Sequence, residues 1–240
     1  MGLQANVSAP NKPDPGAACK GQLTQDRACP LPMFDSLVPF AVVSHAETTS
    51  PIGQRLHVVG TTCAGKSTMA ERLADLLGVP AVDLDALNWL PGWVALTETD
   101  PEEFETRLEA AIAGEGWVVA GDYSGFTRRM LWPRLHTVIW LDLPLPLILW
   151  RVITRSWRRW RSKELLWGTN RENFWKQLMF WRREDSLLWW AWTTHEKKRV
   201  RMAASMADPQ WAHIRFVRLT SVGEVEEFVR LVEEGLVSQG

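Results

Sequence analysis

One eight-residue stretch constrains this chain more than any other, because few loops share its pattern. Residues 60–67 read GTTCAGKS, which satisfies the pattern GxxxxGK[ST]. The preceding residues LHVV are typical of a short buried strand, and residues 68–77 repeat apolar side chains at helical spacing. A glycine-rich loop between a strand and a helix is the setting that this pattern requires for binding phosphate.

Each residue type in the loop has a physical role in holding a phosphate chain. Glycines let successive N–H groups turn inward, and the following helix adds the positive end of its dipole. Lys66 would place its charge on the β- and γ-phosphates, and Ser67 would offer its hydroxyl to Mg²⁺. We therefore predict these nucleotide-binding residues: Gly60, Thr61, Thr62, Cys63, Ala64, Gly65, Lys66, Ser67 and Thr68. The alternative, a glycine turn whose lysine is solvated, leaves both flanks unexplained.

Four further segments have the composition of strands, namely residues 81–85, 117–120, 137–142 and 214–219. Helical segments alternate with them, and one begins with Asp100, Pro101 and Glu103 as a capping box. This alternation predicts an α/β fold with a parallel sheet and right-handed crossovers, in one P-loop domain over residues 55–240. The carboxyl ends of its strands would gather the loop, Asp85 and Asp142 at one edge.

The N-terminal segment differs in composition from the rest of the chain. Residues 1–54 are rich in Pro, Ala, Gly, Ser and Thr without a sustained period, which predicts disorder. Its apolar patch, residues 31–43, is interrupted by prolines and is too short to span a bilayer, so we expect no membrane attachment. The chain has three cysteines without paired spacing, and an odd count argues against a disulfide framework and favours a cytoplasmic location.

Carboxylates at strand ends are candidates for metal binding and proton transfer. Asp142 follows an apolar strand, where it would hold Mg²⁺ through water or, alternatively, cap the next turn. Asp83 and Asp85 alternate on the predicted second strand and would point the same way. Asp85, nearer the strand end, is the candidate general base or acceptor ligand, and Asp83 is the better candidate for a structural cap.

A basic, tryptophan-rich insert separates the last two predicted strands. Residues 151–201 contain 14 Lys or Arg and five Asp or Glu, a balance of +9, and eight of the 15 tryptophans lie between Trp157 and Trp192. On its first predicted helix Arg151, Arg155 and Arg158 share one face. Such a face fits a lid over a bound nucleotide, but arginines interleaved with aromatics are also used to bind single-stranded nucleic acid.

Three further motifs carry a resemblance to a known family. They are the stretches DLDALNW with PGW at 83–93, WVVAGDYS at 117–124, and LDLP at 141–144 leading to Arg151. Together with the loop, they make residues 56 to about 232 resemble the adenylate kinase-like P-loop kinases, most closely the FlaR-like DNA topology modulation proteins. The resemblance implies a three-layer core with strand order 2-3-1-4-5, binding of ATP and Mg²⁺, and a helical lid over residues 151–201. It also implies that Arg151 and Arg155 are lid-hinge arginines, one on the adenine and one on the phosphates.

The expected activity is transfer of the γ-phosphoryl group to a small acceptor, a nucleoside, nucleotide or other hydroxylated metabolite, with Lys66, Asp85, Arg151 and Arg155 as catalytic residues. The alternative is a regulatory ATPase or nucleic-acid-binding protein that affects DNA topology. The chain departs from the family where an Asp-Gly pair is usual after the third strand, since Ala120 and Gly121 stand there and Asp122 follows. The segment between strands two and three also lacks the usual arginine apart from Arg107, which leaves the acceptor open.

Overall fold

The computed structural model of the protein describes residues 52–163, 165–166, 170–171 and 186–237, all within one compact unit of the chain. Nearly all of the predicted disordered extension, residues 1–54, lies outside the described residues. So does a large part of the basic, tryptophan-rich insert, residues 172–185. The description below therefore concerns the predicted P-loop domain.

A five-stranded parallel sheet forms the centre of this domain. Its strands are β1 Arg55–Gly60, β2 Ala81–Asp83, β5 Trp117–Ala120, β6 Thr137–Leu141 and β9 Arg215–Leu219. They lie in the order β2-β5-β1-β6-β9, which for the sheet strands counted along the chain is 2-3-1-4-5. Two short antiparallel hairpins lie outside the sheet: β3 Trp89–Leu90 with β4 Val94–Ala95, and β7 Leu165–Leu166 with β8 Asn170–Arg171. The predicted α/β class with a parallel sheet is confirmed.

Eight α-helices are described, and most of them connect consecutive strands. They are α1 Lys66–Leu77, α2 Leu84–Asn88, α3 Leu96–Thr99, α4 Pro101–Ala111, α5 Ser124–Met130, α6 Leu145–Ser162, α7 Leu187–Met206 and α8 Val222–Val237. Short 3-10 turns span Trp132–Arg134 and Pro209–Trp211. None of the helices in the described ranges is long and apolar enough to cross a membrane.

Helices cover the sheet on both faces because side chains of each strand alternate between two hydrophobic cores. On β1, Leu56 and Val58 belong to one core, which includes residues of α1, α6 and α8. Val59 belongs to the other core, which includes Phe104 of α4 and the fully buried Trp132. This arrangement is the predicted three-layer architecture.

The predicted second strand is shorter than its pattern suggested. β2 ends at Asp83, whose side chain accepts a hydrogen bond from the Asp85 N–H at 2.9 Å and so caps α2. Asp83 is therefore the structural cap, as one of the two interpretations expected. The expectation that Asp83 and Asp85 alternate on one strand is wrong, because Asp85 lies in the first turn of α2.

The buried side chain of His57 fixes the backbone that follows β5. Its Nε2 lies 2.9 Å from the carbonyl oxygen of Gly121, and its Nδ1 accepts a hydrogen bond from the Trp132 indole at 3.2 Å. Nε2 therefore carries the proton and donates to Gly121. Gly121 itself has φ +138°, and a Cβ there would lie 2.7 Å from the Cβ of Leu84. Only glycine lets α2 pack this closely over the end of β5.

Asp142, predicted to hold Mg²⁺, is instead part of an ion-pair cluster at the end of β6. Arg218 of β9 donates to its carboxylate from Nε at 2.9 Å and also from Nη2, and Arg199 Nε of α7 lies 3.2 Å away. The Arg218 guanidinium also lies 4.7 Å from the centre of the Trp140 ring. With two arginine partners and a side chain only 3% exposed, this carboxylate is already neutralised and does not line the cleft beside Lys66. Its contacts support a structural role that joins β6, β9 and α7.

The substitution Asp142→Asn should lower the free energy of unfolding by about 1–3 kcal/mol, because it removes the buried carboxylate charge that pairs with both Arg218 and Arg199. Urea unfolding followed by circular dichroism measures this loss. The matched control is Glu196→Gln, which removes the exposed carboxylate that also pairs with Arg199 and should change stability by less than about 0.5 kcal/mol. A stable Asp142→Asn protein that loses Mg²⁺-dependent nucleotide binding would instead restore the metal role.

Burial should make His57 a source of acid instability. Desolvation lowers the pKa of His57 to about 4 against an ordinary value of 6.5, so the unfolded chain binds its proton first as the pH falls. The stability conferred by the neutral ring is therefore complete above the unfolded value and is lost as the pH falls from 6.5 towards about 4. Between about pH 7 and about pH 5 the expected loss is about 2 kcal/mol.

Urea unfolding at these two pH values, in the wild type and in His57→Gln, measures the effect. The variant has no titrating ring at this position, so its unfolding free energy should fall by about 2 kcal/mol less over the same interval. The comparison uses the pH dependence of each protein, so a lower absolute stability of the variant does not affect it. Equal pH dependence in both proteins would show that His57 is not held neutral in the fold.

Candidate functional site

The loop between β1 and α1 has the backbone geometry of a phosphate cradle. Gly60 and Gly65 have φ values of +154° and +100°, and a Cβ on Gly60 would lie 2.8 Å from the Leu141 carbonyl oxygen. Cys63, with φ +58°, adopts the left-handed region as well. Gly65 precedes the first turn of α1, so the free N–H groups of that turn face the loop. Gly60 must be glycine because the loop passes directly over the end of β6.

Lys66 is the first residue of α1, and its side chain folds back over the loop. Its Nζ donates a hydrogen bond to the Thr61 carbonyl oxygen at 3.2 Å. Burial lowers the pKa of Lys66, and the nearby positive charge of Lys198 on α7 lowers it further. The carboxylates of Asp85 and Asp122 act in the opposite direction, but the net pKa is lowered, and an incoming anion would stabilise this half-buried ammonium. This is the environment expected for a phosphate-binding lysine.

Ser67 contacts a carboxylate at the edge of the loop. Its hydroxyl donates to Asp83 Oδ2 at 3.0 Å, which brings a hydroxyl and a carboxylate together at the rim of the loop. Burial raises the pKa of Asp83, as does the charge of Asp85. No group of three or more His, Cys, Asp or Glu in the described ranges could hold a metal by itself. The donor set fits Mg²⁺, which commonly uses one or two protein oxygens together with phosphates and water.

Asp85 points into the same cleft and has one fixed partner. The Tyr123 hydroxyl, from the loop after β5, donates to Asp85 Oδ1 at 2.7 Å. Burial raises the pKa of Tyr123, and so does the negative charge of Asp85, so the phenol keeps its proton. Tyr123 therefore fixes the orientation of the candidate base Asp85.

These groups open onto a cleft of about 630 Å³ between the loop and helix α6. Arginines form one wall of it, namely Arg151, Arg155, Arg158 and Arg159. The predicted grouping of Arg151, Arg155 and Arg158 on one helix face is confirmed, because Ile148, Val152 and Ser156 are buried on a different face. Arg151 donates from Nη1 to the Ala64 carbonyl oxygen at 3.1 Å, and the Nε of Arg155 is buried without a hydrogen-bond partner.

Two contacts of the site involve residues that carried no signal in the sequence. Lys198 of α7 lies 2.7 Å from Asp122, the carboxylate that follows Gly121, and so is held near Lys66. Burial alone would raise the pKa of Asp122, but its ion pair with Lys198 lowers it below the ordinary value. Asn170, buried in the β7–β8 hairpin, accepts from the Trp93 N–H at 3.1 Å and donates to the Leu90 carbonyl at 3.0 Å. The β7–β8 hairpin of the insert is thereby joined to the β3–β4 hairpin, which follows α2.

Comparison with known proteins shows a similar backbone fold and no similar sequence. No protein-family model matches the sequence, and neither does any curated protein. Similar solved structures include a gluconokinase from Sinorhizobium meliloti 1021, 16% identical with a TM-score of 0.41, over 79% of this chain and 95% of that one. A shikimate kinase from Acinetobacter baumannii in complex with shikimate is 20% identical, with a TM-score of 0.40, over 78% and 94% of the two chains.

A third similar structure is the shikimate kinase from Bacteroides thetaiotaomicron, 17% identical with a TM-score of 0.42, over 76% of this chain and 98% of that one. At these levels of similarity, none of the three shows which activity this chain has. The resemblance to the FlaR-like proteins stays a prediction. Function is therefore inferred from the contacts and charges of the site residues.

Proposed function

We propose that this protein is an ATP- and Mg²⁺-dependent kinase that transfers the γ-phosphoryl group to a hydroxyl of a small acceptor. The observation that carries the proposal is the 3.0 Å hydrogen bond between Ser67 and Asp83 at the mouth of a complete P-loop. It places a hydroxyl and a carboxylate side by side where the β- and γ-phosphates would end. Asp85 and a wall of arginines face the same cleft.

The donor side follows from the loop. Its backbone N–H groups and Lys66 would bind the β- and γ-phosphates, and Arg155 would approach them from α6 with the guanidinium that has a buried, unpartnered Nε. Ser67 and Asp83 would hold Mg²⁺ in place of the role first assigned to Asp142. When bound, the metal neutralises charge that develops on the β- and γ-oxygens. Arg151, already bonded to Ala64, would fix the loop rather than clamp a phosphate.

The acceptor side follows from Asp85. Tyr123 occupies Oδ1 of this carboxylate, which leaves the other oxygen to receive a proton from an acceptor hydroxyl. The acceptor oxygen forms a bond to the γ-phosphorus as the bond from that phosphorus to the β,γ-bridging oxygen breaks. ADP leaves, and the hydroxyl proton passes to Asp85. Positioning and charge neutralisation supply most of the rate in such a transfer.

The basic insert is accounted for by this function where the structure describes it. Four arginines of α6 face the nucleotide cleft, so a substantial part of the +9 balance has a place in binding one triphosphate. A nucleic-acid-binding ATPase would need its basic groups on an open surface tracking a longer backbone. No contact among the described residues gives that alternative separate support.

Lys66→Ala should abolish activity. Loss of the ammonium removes a charge-assisted contact to the phosphates, which should weaken Mg·ATP binding at least about tenfold and lower turnover further. Isothermal titration with Mg·ATP and ADP release against a panel of hydroxylated compounds measure both effects. Lys197→Ala, at an exposed position on α7, is the control and should behave as wild type. A Lys66→Ala protein that binds and turns over ATP normally would refute the proposed kinase.

Asp83 and Asp85 should have separable roles. Asp83→Asn should weaken nucleotide binding in the presence of Mg²⁺ but change it little in EDTA, because it removes the proposed metal carboxylate. Asp85→Asn should leave Mg·ATP affinity unchanged and lower phosphoryl transfer by roughly 10²–10⁴-fold, because it removes the proposed base.

Titration calorimetry with and without Mg²⁺, together with product formation, separates the two variants. Asp75→Asn, at an exposed position on α1, controls for the loss of one carboxylate. If the two effects were exchanged, the assignments of Asp83 and Asp85 would be reversed. If neither variant differed from Asp75→Asn, this pair would have no part in the reaction.

A further inference from the structure

A buried asparagine lies at the end of α2, three residues after the candidate base Asp85. Asn88 is only 1% exposed, and its Oδ1 accepts a hydrogen bond from the Thr97 N–H at 2.9 Å. A backbone N–H can only donate, so the carboxamide oxygen of Asn88 faces Thr97 and its amide nitrogen is left as a donor. The proposed transfer step does not yet involve this buried amide.

The side chain of Asn88 also bonds the hydroxyl of Tyr123. Burial and the negative charge of Asp85 raise the pKa of this phenol, whereas the hydrogen bond from Asn88 lowers it. A hydrogen bond lowers the pKa of a phenol when it is donated to the oxygen, because it stabilises the phenolate. Since Oδ1 of Asn88 is held by Thr97, the donor to Tyr123 is the amide nitrogen Nδ2.

The hydrogen bonds therefore run in one direction, from Asn88 through Tyr123 to Asp85. The Tyr123 oxygen accepts from Asn88, and its single proton is donated to Asp85 Oδ1 at 2.7 Å. The ring of Tyr123 is also packed against Phe104 of α4, with 5.5 Å between the ring centres. Because its oxygen and its proton are both engaged, the phenol cannot turn to another acceptor without breaking one of these bonds.

The same asparagine closes the base of the β3–β4 hairpin. Asn88 immediately precedes β3 and Thr97 lies two residues after β4, so the hydrogen bond between them spans the hairpin. Tyr123 comes from a third place, the loop after β5. One buried side chain thus holds the hairpin, the loop after β5 and, through Tyr123, the carboxylate of Asp85 in one arrangement.

We propose that Asn88 is a positioning residue for phosphoryl transfer, which directs the Tyr123 proton to Oδ1 of Asp85 and so leaves Oδ2 as the oxygen that faces the acceptor hydroxyl. This inference rests on the proposed kinase function, in which Asp85 is the base. The hydroxyl proton passes to Oδ2 as the acceptor oxygen bonds the γ-phosphorus and the bond from that phosphorus to the bridging oxygen breaks. Asn88 and Tyr123 keep their own protons throughout.

The protein contains a single tyrosine, so the network can be observed directly. Labelling with tyrosine that carries ¹³C at the hydroxyl-bearing carbon gives one NMR signal, which responds to the hydrogen bonds of the phenol. Asn88→Ala and Asp85→Ala should each move this signal from its wild-type position. Glu98→Ala, at an exposed position on α3, is the control and should leave the signal unmoved. An unmoved signal in folded Asn88→Ala protein would overturn the proposal.

Tyr123→Phe gives the reciprocal measurement, which does not depend on the folding of an Asn88 variant. It removes the hydroxyl that Asn88 bonds and keeps the ring that packs on Phe104. In ¹⁵N-labelled protein the side-chain amide signal of Asn88 should move in Tyr123→Phe and should stay at its wild-type position in Glu98→Ala. An Asn88 amide signal that is the same in Tyr123→Phe and wild type would also overturn the network.

A double-mutant cycle separates positioning from a merely structural role. Asn88→Ala and Tyr123→Phe should each lower the rate of ADP release with a phosphorylated panel compound by roughly 10- to 100-fold, with unchanged Mg·ATP affinity. Because Asn88 acts through the Tyr123 hydroxyl, the double variant should be no slower than Tyr123→Phe alone, within about twofold. Rate losses that multiply in the double variant would make Asn88 a structural residue and overturn the proposal.

The two proposals fail in different ways. Mg·ATP binding is measured first in the wild type, and its absence would refute the kinase but would not affect the NMR signals of the network. If the wild type binds Mg·ATP but releases ADP with no compound of the panel, the two NMR comparisons decide whether Asn88 holds Tyr123 on Asp85. Normal binding and transfer in a folded Asn88→Ala protein would refute the positioning role alone.

Discussion

The hydrogen bond from Ser67 to Asp83 holds the site together, because it joins elements that are not neighbours in the sheet. Ser67 lies in the first turn of α1, the helix after β1, and Asp83 ends β2, while β5 lies between those two strands. The contact can form only if the chain crosses over the carboxyl end of β5. Gly121 makes that crossing possible, since a Cβ there would meet Leu84 at 2.7 Å. His57 then holds the Gly121 carbonyl in place and also contacts Trp132, which belongs to the same core as Leu84.

The two strand-end carboxylates Asp83 and Asp142 show why position in a sheet does not decide chemistry. Asp83 ends β2 and Asp142 follows β6, and the rule that ligands bind at the carboxyl ends of parallel strands applies to both. Their neighbours differ: Asp142 faces two arginines, whereas Asp83 faces a serine hydroxyl and a backbone N–H. A carboxylate saturated by guanidinium groups has little left for a metal. The arginines come from β9 and α7, far along the chain, so no local pattern around Asp142 could reveal them.

Local patterns predicted the fold well and the long-range contacts of the site poorly. The strand at 117–120, the loop at 60–67 and the cap at Asp100 are set by nearby residues, and each appears where the sequence indicated. The end of β2 was misplaced because a capping bond competed with the alternating pattern. Lys198 and Asn170 act through partners 76 or 77 residues away, which only the tertiary fold brings near. Neither had a neighbouring motif to identify it.

Positively charged side chains line the cleft of the empty protein from both sides. Lys66 is half-buried with Lys198 nearby, and Arg155 has a buried Nε without a hydrogen-bond partner on the opposite wall. Such an arrangement lowers the stability of the empty protein, since burial penalises the Lys66 charge and the Arg155 Nε loses hydration without gaining an acceptor. A polyanion that binds the native state alone recovers this cost and shifts the folding equilibrium by mass action. An anion bound in this cleft would therefore raise the stability of the folded protein.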